Sequence, residues 1–180
     1  MQVAANGAWA AVGATIVAMG SVIGWPIMIG SLAGAQADTW ATEIGGRSRR
    51  QPRLITGGQV VQPGTSGGVT WLGSLGGILG AVLIGLATVP FGQTWPVAVA
   101  GVIGGVAGML ADSFAGAVHQ AKYRCAICHA IVDERIHCEV PATFEGGKRW
   151  LTNNGVNVVG SGTGALVAAL LTILWTSVLR

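Results

Sequence analysis

Residues 67–111 read GGVTWLGSLGGILGAVLIGLATVPFGQTWPVAVAGVIGGVAGMLA, with no Asp, Glu, Lys or Arg among them. A helix needs roughly 20 consecutive apolar residues to cross a hydrocarbon core. This run holds two such lengths, divided at Pro90-Phe91-Gly92-Gln93-Thr94-Trp95-Pro96, where proline and glycine turn the chain. Two more uncharged runs flank it, Met1–Ala37 and Trp150–Leu179. The first is long enough for two spans, with Gly20 and Ser21 available for the turn between them, and the second for one. The sequence therefore predicts an all-α, polytopic membrane protein of about five helices, near 3–19, 25–44, 67–89, 96–120 and 155–179, in a single membrane domain over 1–180. Composition agrees: 51% of residues are hydrophobic and 9% charged, where a soluble domain carries about 25% charged residues to cover its surface. The opening run lacks the basic start of a signal peptide and is too long for one.

Charge orients the spans. The net charge is only +3, but nine of the ten Lys and Arg fall in two loops: Arg47, Arg49, Arg50 and Arg53 in the first, and Lys122, Arg124, Arg135, Lys148 and Arg149 in the second. The positive-inside rule places these loops, about 45–66 and 121–152, in the cytoplasm, with the N-terminus inside and the C-terminus outside. All seven tryptophans fall near predicted span ends, as in an aromatic belt. Phosphates on lipids or nucleotides account for the basic clusters as well as nucleic acid would, so no nucleic-acid partner is expected.

Many of the 30 glycines recur every four residues, as Gly73/Gly77, Gly76/Gly80, Gly101/Gly105, Gly104/Gly108 and Gly160/Gly164, a spacing that lets helix backbones approach closely in lipid. There is also an internal repeat. Gly34-Ala35-Gln36-Ala37-Asp38-Thr39-Trp40-Ala41 matches Gly108-Met109-Leu110-Ala111-Asp112-Ser113-Phe114-Ala115 at four positions, with Thr/Ser and Trp/Phe as close substitutions. Each copy nears the cytoplasmic end of its span and leads into a basic loop, so the repeats are parallel.

Four features carry chemistry. Asp38 and Asp112 are carboxylates within apolar spans, costly there and placed towards helix C-termini, where the dipole opposes negative charge. A divalent cation would offset that cost, and so would a loop arginine. Glu43 is a third carboxylate nearby. Pro63-Gly64-Thr65-Ser66-Gly67-Gly68, at the predicted entry to the third span, combines free backbone N–H groups, two hydroxyls and a helix N-terminus, which suits a phosphate; a flexible helix entry would read the same. No Walker GxxxxGK[ST] pattern occurs. Lys148-Arg149-Trp150-Leu151-Thr152-Asn153-Asn154-Gly155-Val156-Asn157 brings two cations and three amides to the entry of the last span, suited to an anion or to interface anchoring with an Asn cap. In the second loop, Cys125, Cys128 and Cys138 with one histidine make a tetrahedral set for structural zinc, and otherwise are ordinary thiols in a reducing compartment. His137 adjoins Cys138, so His129 competes for the fourth position.

Ala37-Asp38-Thr39-Trp40-Ala41-Thr42-Glu43-Ile44-Gly45, Pro63–Gly68, Ala111-Asp112-Ser113 with Gly116 and Gln120, and Asn153-Asn154-Gly155-Val156-Asn157 together resemble the DUF92/TMEM19 family of membrane proteins, in order along the chain from Gln2-Val3-Ala4-Ala5-Asn6-Gly7. That family includes the phytyl-phosphate kinase of plants and cyanobacteria. The resemblance implies phosphoryl transfer from a nucleoside triphosphate, CTP foremost, to an isoprenyl monophosphate in a prokaryotic cytoplasmic or thylakoid-type membrane. It implies Mg²⁺ on Asp38 and Asp112, charge neutralisation by Lys148 and Arg149, and nucleotide contacts from Glu43, Gly64, Thr65, Ser66, Gly67, Gly68, Ser113, Asn153, Asn154 and Asn157. Members carry further spans ahead of the segment matching Gln2–Gly7, which implies a shortened gene product, a mis-called start, or a chain completed by a second copy or another chain. A transporter is the rival expectation, because parallel repeats and intramembrane carboxylates also describe one; a non-catalytic scaffold with a zinc loop is the third.

Overall fold

Small residues decide how these helices meet. The computed structural model describes residues 2–178, which form helices α1 (Gln2–Ala18), α2 (Gly24–Gly45), α3 (Trp71–Ala87), α4 (Trp95–Val118) and α5 (Asn153–Val178). Helix α2 lies at the centre and packs against the other four, while α1 also touches α5, and α4 also touches α3 and α5. The core beside α2 is built of Ala33, Ala37, Ala81 and Met109, all buried. Glycines bring the backbones together. A Cβ at Gly73 would stand 2.6 Å from the Ala41 carbonyl, and one at Gly108 would stand 2.6 Å from the Gly160 carbonyl. Gly30 and Gly164 abut each other backbone to backbone, and Gly104 meets the same Gly164 carbonyl. The four-residue glycine spacing thus serves helix packing.

Three segments, Trp71–Phe91, Trp95–Val118 and Asn153–Val178, are long and apolar enough to cross a membrane. Their outer faces expose Leu75, Leu79, Leu83, Ile103, Leu166 and Leu170, as lipid contact requires. Helix α1 has 17 residues and α2 carries Asp38 and Glu43, so three helices have the length and composition that a span needs, where the sequence predicts about five spans. A 3₁₀ turn over Val89–Phe91 and Gly92, in the left-handed region at φ 84°, join α3 to α4 as the proline–glycine stretch predicts.

The third helix starts later than its apolar run. Thr70 caps it, accepting from the Gly73 N–H at 3.0 Å, so α3 begins at Trp71 and residues 67–70 belong to the loop. The loops are also not irregular. Strands β1 (Arg53–Leu54) and β2 (Gly68–Val69) pair antiparallel and close the first loop on itself. The second loop has strands β3 (Lys122–Arg124), β4 (Ile131–Val132), β5 (Ile136–His137), β6 (Val140–Pro141) and β7 (Thr143–Gly146), arranged as a sheet of order β4-β3-β7 and a β5-β6 hairpin. Tyr123, buried and edge-on to Phe144, gives this loop a small core. The strands are too short to show an alternating pattern in sequence. Both loops lie at one end of the bundle, joined through Ser66, Gln120 and Asp133.

Candidate functional site

Asp38 on α2 and Asp112 on α4 face each other, their carboxyl groups within hydrogen-bonding reach. The two matching octapeptides supply this pair: their first glycines, Gly34 and Gly108, lie in contact, and each aspartate sits one turn further on. Among the described residues the one ion pair is Arg124–Glu145, so neither aspartate is balanced by a Lys or Arg within 4 Å. Asn157 of α5 is buried beside them. With its amide nitrogen turned towards oxygen partners, Asn157 donates to Asp112 Oδ2 at 3.1 Å and to the Asn153 carbonyl at 3.2 Å, while its oxygen lies 3.3 Å from the side-chain amide of Asn6 on α1. Gly160 makes room for the pair: a Cβ there would stand 2.9 Å from the Asp112 Cβ.

The aspartates floor a cavity of about 240 Å³ whose rim is the Pro63–Gly68 loop. Its polar lining includes Thr42, Arg50, Ser113 and Asn153, and its helix side is apolar, with Ala41, Met109 and Leu110. Gly67 holds the rim in place with φ 78°, and it abuts Ala117 of α4 so closely that no side chain fits. Ser66 Oγ donates to Gln120 Oε1 at 2.6 Å and lies 3.3 Å from Asp133 Oδ2. Gln120 is fully buried, and among the described residues its Nε2 meets no partner at hydrogen-bonding geometry. Burial raises the Asp133 carboxyl above its ordinary value of 3.8, with the Ser66 hydroxyl pulling the other way.

Of the residues the sequence singles out, Asp38, Asp112, Gly64, Thr65, Ser66, Gly67, Gly68, Ser113 and Asn153 line this cavity, and Asn157 reaches it through Asp112. Glu43, Asn154, Lys148 and Arg149 do not line it. Lys148 lies over the Trp150 ring at 5.6 Å and Arg149 over Phe144 at 4.6 Å, each in cation–π contact. Asp133 and the wall position of Arg50 carry no local sequence signal; only the folded loops bring them here.

In the second loop, one ligand atom each from Cys125, Cys128, His137 and Cys138 all lie within 4.8 Å of one another, close enough to bind a metal ion. His137 Nδ1 is 3.4 Å from Cys128 Sγ and 3.3 Å from Cys138 Sγ. A tetrahedral zinc with bonds of about 2.0–2.3 Å sets ligand separations of roughly 3.5–3.8 Å, so this donor set fits that ion. His137 supplies the histidine and His129 does not. Left-handed backbone at Cys138 (φ 51°) and Glu139 (φ 62°) folds the adjacent pair inward. Without metal, the Cys128 backbone N–H and then His137 hold the Cys125 thiol down to about 6, and its neighbour Cys128 first pushes Cys138 up to about 11.

Residues 1–165 match the family model described as Integral membrane protein DUF92. An uncharacterized membrane protein of Methanocaldococcus jannaschii is 46% identical over 95 residues, covering 52% of this chain and 40% of its own. Protein PGR of Arabidopsis thaliana is 33% identical over 145 residues, covering 73% of this chain and 49% of its own. The chain thus spans about half the length, or less, of these curated relatives. No solved structure matches. With a matched region that takes in α1 to α4, the first half of α5, the facing aspartates and the rim loop, the chain belongs to the DUF92 family of integral membrane proteins.

Proposed function

We propose that this protein is a membrane phosphotransferase that passes a phosphoryl group from a nucleoside triphosphate, CTP by the resemblance of its motifs, to an isoprenyl monophosphate. The observation that carries this reading is the Asp38–Asp112 pair, two facing carboxyl groups from two helices, without a basic partner, at the floor of a cavity rimmed by a glycine-rich loop. Two such carboxylates repel unless a proton or cation lies between them. Asp38 and Asp112 are the residues that would hold Mg²⁺, which would supply neutralisation of phosphate charge when bound.

The chain's own groups position the reactants. The backbone N–H groups of Ser66 and Gly67, which the loop's own turns leave open, and the Arg50 guanidinium meet phosphate oxygens, and Asn157 holds one oxygen of Asp112 so that the other faces the cavity. A phosphate oxygen of the acceptor attacks the terminal phosphorus, and the bond to the bridging oxygen breaks with its electron pair leaving on the nucleoside diphosphate. The acceptor is already ionised, so positioning and charge neutralisation supply the catalysis and no general base is needed. The apolar helix side at Ala41, Met109 and Leu110, with Leu110 half exposed, suits an acceptor whose tail runs out into lipid.

In this reading α1 and α2 also cross the bilayer, the two loops face the cytoplasm, and zinc in the Cys125/Cys128/His137/Cys138 set stiffens the second loop. The test is to incubate purified protein with Mg²⁺, CTP or ATP, and farnesyl, geranylgeranyl or phytyl monophosphate. Prenyl diphosphate is the expected product, and its absence with every pair, from folded protein, would overturn the proposal.

A further inference from the structure

A second cavity, of about 340 Å³, lies between the two loops and shares Thr65 with the first. Val60 and Val61 of the first loop and Ile131 of the second wall it, and Gln62, Arg124 and His129 supply its polar atoms. None of these lies on a helix, so the cavity sits outside the apolar bundle, where a lipid tail has no reason to go.

The charge of this cavity differs from that of the first. The Arg124 guanidinium is held by Glu145, with nitrogen–oxygen distances of 2.6 and 3.0 Å, so its charge is already balanced and gives no strong hold on an anion. What remains is a slot with aliphatic walls, an imidazole and an amide, at neutral net charge. Such a lining takes a flat, uncharged, polar-edged ring. His129 is held in place by its backbone. Its φ is 57°, its N–H donates to the Cys125 carbonyl at 3.1 Å, and its own carbonyl accepts from Arg124 at 3.4 Å. The turn that begins at Cys125 and Cys128 therefore fixes where His129 stands.

We infer that this second cavity is the nucleoside subsite, with the base between Val60/Val61 and Ile131 beside His129 and the phosphates passing Thr65 into the Asp38–Asp112 cavity. This rests on the phosphotransferase reading and adds to it the place where the donor's base and ribose bind. It also gives the metal-binding turn a task, which is to hold His129 at the mouth of the slot.

The test compares CTP and ATP with inorganic tripolyphosphate, which has the phosphates and lacks the nucleoside. Binding of each, with Mg²⁺, is measured by calorimetry on the full chain in detergent, for wild type and for His129→Asn and Val60→Asp. Asparagine tolerates the left-handed backbone at 129, and Val60 is half exposed, so both variants should keep the wild-type melting temperature and metal content. Each variant is expected to weaken nucleoside triphosphate binding about tenfold or more, the scale of one lost base contact, and to leave tripolyphosphate binding within about twofold of wild type. Equal weakening of both ligands, or no change in nucleotide binding, would overturn the subsite and leave the phosphotransferase reading standing. A wild-type protein that binds neither ligand would overturn both.

Discussion

Asparagine at position 38 or 112 keeps the shape of the side chain and removes its charge. If these groups serve a cation, Asp38→Asn and Asp112→Asn should each lower turnover by about 10²-fold or more, the scale of lost electrostatic stabilisation at a transferring group, while the melting temperature without metal stays level or rises. Near wild-type diphosphate formation in both variants would refute the catalytic assignment. Asp133 makes a separate prediction. Its folded carboxyl titrates above 3.8, so the folded state binds more protons than the unfolded state between the two values. Its contribution is fully present below 3.8 and is lost as pH rises through the higher, folded value. Asp133→Asn should therefore melt higher than wild type at neutral pH, with the gap closing as pH falls towards 4. An unchanged gap across that range would show that burial is not what shifts this group. Asp38 and Asp112 stand out in sequence because an acid in an apolar run needs a reason. Lys148 and Arg149 show the opposite case, since sequence cannot tell a cation aimed at a ligand from one resting on an aromatic ring.

The helices make close approach the design variable. Gly108→Ala would drive a Cβ to 2.6 Å from the Gly160 carbonyl, one turn before Asp112. Overpacking of this kind costs about 1–3 kcal/mol, and it should lower both melting temperature and turnover. Gly7 of α1 has nothing within 4 Å of a built Cβ, so Gly7→Ala should be neutral or stabilise by up to about 1 kcal/mol. Thermal melts of the pair check both signs. In the second loop, Cys128→Ser should take bound zinc from about one ion per chain to near zero and open residues 122–148 to protease, read by elemental analysis and limited digestion. A zinc-free wild type with a protected loop would sink that assignment. Helix boundaries were legible where apolar runs met proline or glycine, as at Pro90–Pro96. At α3 the apolar composition ran on through residues 67–70, and it was the Thr70 hydroxyl that set the start. The loop strands were hidden because two- to four-residue strands have no period, and their pairing depends on partners up to 24 residues away, as in Lys122 with Gly146.

For the molecule as a whole, the basic loops share one end of the bundle, and the proposal from the positive-inside rule is that this end faces the cytoplasm. A protease site inserted at the exposed turn around Gly58, and another at Glu134, should be cut in inverted vesicles and protected in intact spheroplasts. Cutting of either in spheroplasts would reverse the orientation. The gathering of the basic residues into two loops was legible because the charge map is a property of the chain and does not depend on contacts. The juxtaposition of Ser66, Gln120 and Asp133 was not, since it joins positions 54 and 67 residues apart.

The three-way crossing at Gly30, Gly104 and Gly164 has a consequence for energy coupling. Two turns beyond the aspartates, α2, α4 and α5 press together at the Gly164 carbonyl, with the Ala168 methyl packed beside it. In the proposed membrane arrangement that junction would act as a dielectric plug, separating Asp38 and Asp112 from the far side of the bilayer and leaving them open to the basic-loop side alone. On that proposal, protons and cations at the pair would exchange with one compartment. A collapse of the proton-motive force by an uncoupler, at constant pH on the basic-loop side, should leave their occupancy where it was.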